Sequence, residues 1–126
     1  MDALWNIVAV IAIAFLAGLW LKDRLSMSRV CRQAEAMVSE GNWREAARIY
    51  KANIAARLDS PRAMRELKRR LSLVYDANGI TVNLDRLDQK PVEIKRILKS
   101  SRNDKEKGRL VQQLIDDTKR WLAELP

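Results

Sequence analysis

From Ala3 to Leu21 the chain carries an almost unbroken run of apolar side chains, and a basic flank of Lys22, Arg24, Arg29 and Arg32 follows. As an α-helix this run is about 28 Å long, close to the ~30 Å hydrocarbon core of a bilayer. Leu, Ile, Val and Phe dominate it, which makes insertion worth on the order of −3 to −6 kcal/mol before penalties. Asn6 is its strongly polar member and lies near one end, while Trp5 and Trp20 sit at the two depths where indole rings favour the interface. These features predict a transmembrane helix that, with its flanks, occupies residues 1–24. A cleaved secretory signal would need a cationic start and small residues after the apolar stretch. Here Asp2 precedes the run and charges follow it, so an uncleaved anchor is the expectation. The same charge asymmetry predicts a cytoplasmic (inner) membrane protein with its N-terminus outside and its remainder in the cytoplasm. Within the anchor, Ala14 and Gly18 form a small-xxx-small pair of the kind that lets two membrane helices approach closely.

The chain beyond Leu21 is long enough for one small domain and too short for two. Histidine is absent and cysteine occurs once, at Cys31. No disulfide framework can form, in keeping with a reducing compartment, and no His/Cys zinc site can be assembled. The commonest general base is missing too, and the chain has no phosphate-binding glycine loop and no nucleophile elbow. The carboxylates Asp85, Asp88, Asp116 and Asp117 sit among other charges, as solvated surface groups do. No enzymatic activity, cofactor or metal is expected. Cys31 reads as a small buried or lipid-proximal residue rather than a reactive or palmitoylated thiol.

The rest of the chain reads as helices separated by turn residues. Val30, Ala34, Met37 and Val38 mark a helix from about Ser28 to Glu40, closed by Gly41. Ala46, Ala47, Tyr50, Ile54 and Leu58 mark a second, from about Trp43 to Leu58. Ser60 then offers an N-cap and Pro61 a first-turn residue for a third, whose stripe is Met64, Leu67, Leu71 and Val74, with Asn78-Gly79 at its end. From Ile80 to Val82 a short extended piece is predicted, with Leu84 and Leu87 folding back on the helices. Pro91 begins a short helix with Val92, Ile94, Ile97 and Leu98. A polar break is expected from Ser100 to Gly108, before an amphipathic helix carrying Leu110, Val111, Leu114, Ile115, Thr118, Trp121, Leu122 and Leu125.

One stretch resembles a known motif. Ala34, Gly41, Trp43, Ala46 and Tyr50 stand at the relative spacings of a single tetratricopeptide repeat (TPR), spread over about Met27 to Ser60. In that repeat small residues let two antiparallel helices approach while aromatic residues fill the space beside them. The pattern departs at Asn53, at the late Pro61, and at Lys68 and Tyr75 in the segment that would begin a second repeat. The resemblance implies an all-α fold: a single N-terminal transmembrane helix followed by a small TPR-like helical domain. The hairpin and third helix fill residues 25–79, and a loop with C-terminal amphipathic helices fills 80–126. Single repeats do not bury their apolar faces alone, so the third and C-terminal helices or another protein must cover this one, and both are expected to.

The leading functional expectation is a membrane-anchored protein–protein interaction module, acting as a scaffold, assembly factor or accessory subunit of a membrane complex. Trp43 and Tyr50 are expected in the core. The contact candidates are Arg44, Arg48, Lys51 and Asn53 on the second helix, and Trp121 on the last. The alternative is electrostatic, a binder of anionic membrane lipid or nucleic acid. Arg62, Arg65, Lys68, Arg69 and Arg70 form one basic strip, and Lys95, Arg96, Lys99 and Arg102 form another, within a chain of formal net charge +8. Neither strip is interleaved with aromatic residues that could stack bases, which disfavours nucleic acid.

Overall fold

The computed structural model describes residues 2–126, with the side chains of residues 2, 20 and 22–25 outside that description. The expectations for Trp20, Lys22 and Arg24 therefore lie outside the described side chains. Among the described residues the protein is all-α, with five α-helices, one short 3-10 turn and no strand.

Helix α1 runs without interruption from Asp2 to Ser39. The sequence reading places a separate helix at about Ser28, but nothing between Leu21 and Ser28 is a Gly or a Pro, so no residue there stops the helix. The apolar run and the first helix of the hairpin are one rod. Among the described residues no helix is long and apolar enough to cross a membrane. The described part of the apolar run, with Asn6 its one polar side chain, covers residues 3–19, about 26 Å as a helix.

Gly41 ends the rod with φ at 80°, a left-handed conformation that suits glycine. The Asn42 amide then donates to the Met37 carbonyl (2.8 Å) and the Gly41 amide to that of Val38 (3.0 Å). Gly79, with φ at 70°, closes the third helix in the same way, the amides of Ile80 and Gly79 donating to Tyr75 (2.9 Å) and Asp76 (3.1 Å).

Helix α2 spans Trp43–Ala56 and α3 spans Pro61–Ala77. Asn42 caps α2, its side-chain oxygen accepting from the Glu45 amide at 3.3 Å. Ser60, expected to cap α3, makes no side-chain capping hydrogen bond. Pro61 at the first turn has already removed one amide donor there, and the Ser60 carbonyl accepts from Met64 instead, at 3.0 Å. The expected extended piece at 80–82 forms no strand. It is irregular chain leading to the 3-10 turn Asp85–Gln89, and Leu84 and Leu87 are buried beside it.

Helix α4 (Lys90–Leu98) buries Pro91 and Ile94. Helix α5 runs from Asp104 to Glu124, so the predicted polar break is shorter than expected and Gly108 is helical. The reason is a second Asn cap: Asn103 accepts from the Glu106 amide at 2.8 Å and starts the helix ahead of its apolar stripe.

The core lies on α2, which packs against α1, α3 and α5. Ala34, Ala46, Ala47 and Ile54 are fully buried, with Tyr50, Leu67, Leu71, Tyr75, Leu87 and Leu122 around them. Trp43 is half-buried and meets Tyr75 edge-on, with ring centroids 6.3 Å apart at 74°. Each packed helix presents apolar side chains at three- and four-residue steps, which sets the inward face. Thr118, counted with the apolar stripe of α5, is buried and satisfies its hydroxyl by donating to the Leu114 carbonyl at 2.8 Å.

Candidate interaction surfaces

Among the described residues most of the exposed large apolar side chains lie on the N-terminal rod. Trp5 (72%), Phe15 (67%) and Leu4 (67%) are exposed, as is every described side chain from Ala3 to Leu19. Ala14 and Gly18 lie on this bare surface, and a Cβ added at Gly18 would meet nothing within 4 Å. Isolated exposed apolar residues are ordinary, but a continuous apolar cylinder in water is not.

The contact candidates on α2 divide. Arg44 is exposed and stacks its guanidinium over the Trp43 ring, 4.8 Å from the centroid. Arg48 is exposed and pairs with Glu45, whose carboxyl is held below its ordinary value first by that hydrogen bond. Lys51 and Asn53 are half-buried and already hydrogen-bonded. The Lys51 ammonium donates to the carbonyls of Leu125 (3.2 Å) and Pro126 (3.4 Å), and burial lowers its pKa. Asn53 donates to the Ile49 carbonyl at 2.8 Å and accepts from Arg57 at 2.9 Å. Trp121 is half-buried beneath the Arg86 guanidinium, which lies 5.3 Å from its ring. Three of these candidates thus hold the domain together locally.

Between α2 and α5 runs an open groove of about 820 Å³. Small side chains (Ala52, Ala55, Ala56 and Ala123) with Ile115 and Leu122 form its floor, and Arg48, Lys51 and Lys119 stand at its edges. Sequence reasoning missed its alanines, although their three- and four-residue spacing on α2 is a visible sign of a face made for close approach.

The first basic strip is half neutralised. Lys68 bonds to Asp85 (3.0 Å) and Asp88 (2.8 Å) on the 3-10 turn. Burial lowers its pKa, but these carboxylates outweigh that effect and the net shift is upward. Arg69 pairs with Glu66 at 2.6 Å, and Arg70 reaches both Glu66 (3.0 Å) and Glu35 on α1 (2.7 Å). Glu66 is held below the usual carboxylate range, first by its hydrogen bond with Arg69, and the Arg70 pKa is raised, first by its hydrogen bond with Glu35. Arg62 and Arg65 are exposed, and among the described residues neither has an ion-pair partner. In the second strip Lys95, Arg96, Lys99 and Arg102 are all exposed, with Arg102 3.9 Å from Glu106.

Among the described residues no group of His, Cys, Asp or Glu is arranged to hold a metal. Cys31 is half-buried, and burial raises its pKa, which disfavours the reactive thiolate. Compared with known proteins, the chain matches no family model, no curated protein and no solved structure.

Proposed function

We propose that this protein is a membrane-anchored interaction module, a single-pass accessory subunit, scaffold or assembly factor whose helical domain stands on the cytoplasmic face of the inner membrane. The observation that carries this reading is the continuity of α1: one helix is bare and apolar at its N-terminal end and, toward its C-terminal end, sends Val30 and Ala34 into the domain core. Trp20 and Leu21 complete the run in the sequence and bring it to about 28 Å, a bilayer's hydrocarbon thickness. A domain rooted by a rigid helix stays beside its membrane target, which raises its effective concentration there. The TPR-like hairpin of α1 and α2 belongs to this proposal as the frame of the domain, and the α2–α5 groove as its open face. The electrostatic alternative has less support as a whole function, because Lys68, Arg69 and Arg70 are already paired within the fold.

Two measurements test the reading. Carbonate washing of membranes should leave the chain in the pellet, and protease should reach the domain from the cytoplasmic side alone. In mild detergent the chain should migrate with one or more other subunits, and Gly18→Leu should release them. A side chain at position 18 meets nothing within the chain itself, so its effect reports on a neighbouring helix. Extraction by carbonate, or a stable monodisperse monomer in detergent, would refute the proposal.

A further inference from the structure

The bonds between helices fix how far each part of the domain stands from the end of the apolar run. Arg57, at the C-terminal end of α2, donates to the Ser26 hydroxyl at 3.0 Å. Ser26 lies about 8 Å along α1 beyond Leu21, so the corner joining α2 to α3 is level with the first turns of the rod past the run. Arg70, near the middle of α3, meets Glu35 at 2.7 Å. Glu35 lies about 21 Å beyond Leu21 by the same rise. Helix α3 therefore climbs away from that end in the same direction as α1; taken parallel to the rod, with Arg70 level with Glu35, it puts Arg62 at about 9 Å and Arg65 at about 13 Å.

Charge pairing follows the same gradient. Higher on α3, Lys68, Arg69 and Arg70 each hold a carboxylate. At the corner, Arg57 bonds to the neutral Asn53 and Ser26, and Arg62 and Arg65 point no charge at any described partner. Asp59, exposed, is the single acid between Arg57 and Arg65 in the sequence. Glu66 and Asp85, which share a surface hollow with Arg62 and Arg65, are taken up by Arg69, Arg70 and Lys68, so among the described residues the corner keeps a net positive charge.

We infer that the α2–α3 corner is a contact for anionic phospholipid, with Arg57, Arg62 and Arg65 facing the headgroup phosphates of the leaflet from which α1 emerges. This rests on the anchored reading above. The headgroup layer is about 5–7 Å deep on each side of the hydrocarbon core, and charges at a surface act over about 8 Å at physiological ionic strength. Arg62 lies inside that reach, Arg65 reaches its edge with a long side chain, and the paired cations lie beyond it. Such a contact fixes the tilt of the domain on the membrane and with it the direction in which the α2–α5 groove faces.

The test uses the full chain in lipid nanodiscs, with Cys31→Ser and one fluorescent probe on either Ser60→Cys or Glu40→Cys. Ser60 lies at the corner and its side chain caps nothing, while Glu40 is exposed and lies about 28 Å up the rod. The discs contain a lipid with a quencher on its headgroup. With phosphatidylglycerol the Ser60 probe should be quenched far more than the Glu40 probe. That quenching should weaken in phosphatidylcholine, in high salt and in Arg62→Glu/Arg65→Glu, each cation contributing about fivefold to the surface contact. Arg62→Gln/Arg65→Gln provides the milder variant if the reversal disturbs folding. Inorganic phosphate at constant ionic strength should leave the quenching in place, and its loss to phosphate alone would reassign the corner to soluble phosphate. Equal quenching in both lipids and in both Arg variants, with the chain still resistant to carbonate, would overturn this inference and leave the anchor standing. A chain that washes off the membrane would overturn both.

Discussion

The Tyr75 hydroxyl is buried and, among the described residues, has no hydrogen-bond partner, while its ring packs edge-on against Trp43. Burial raises its pKa, so the hydroxyl stays neutral and the cost is one of lost hydration. Tyr75→Phe keeps the ring contact and deletes the unsatisfied group. It should raise stability by about 1 kcal/mol, seen as a higher urea midpoint with an unchanged slope. A lower midpoint would mean the hydroxyl is satisfied in solution. The sequence shows Tyr75 departing from the TPR pattern but says nothing of this orphan, because the partners of a buried group are set by helices far apart in the chain. Lys51 makes the same point: it reads as a surface residue on α2, yet its ammonium donates to the Leu125 and Pro126 carbonyls. Asn53 differs, bonding locally to Ile49 and Arg57.

At the scale of elements, the helix ends were the most legible feature. Gly41 and Gly79 close helices where the sequence places them, and both adopt positive φ. Adding a Cβ at Gly79 meets nothing within 4 Å, so Gly79→Ala carries no clash and only the conformational penalty. That substitution should cost about 1 kcal/mol, measurable as a lower thermal midpoint, and an unchanged midpoint would show that the turn relaxes freely. The starts of α2 and α3 were equally legible, and that of α5 was not. Asn42 and Asn103 each cap a helix with a Glu three residues on, a pattern present in the sequence, and the second of these moves the start of α5 to Asp104. Ser60 is the converse case, a good capping residue left unused beside a proline.

At the scale of the whole molecule, α1 has two parts, a bare apolar run and a segment packed on the core. The core begins at Val30, with Met27 packed against it, and no described residue of the apolar run takes part. A fragment beginning at Ser26 should therefore unfold cooperatively, with helical circular dichroism and a denaturant midpoint close to that of the full chain in detergent. A fragment that binds hydrophobic dyes and melts without a transition would show that the rod is needed to complete the fold. What the sequence determined by itself was local: helical class, the apolar run, the inward stripes and the glycine stops, all of which follow from backbone preference and periodic side-chain pattern within a few turns. Tertiary structure decided the rest. It joined the run to the hairpin as one helix, spent Lys68 and Arg70 on carboxylates from other elements while Arg69 pairs within α3, and left Arg62 and Arg65 uncommitted at one end. Ion pairs and grooves between distant segments depend on how helices cross, and no local pattern encodes that distance.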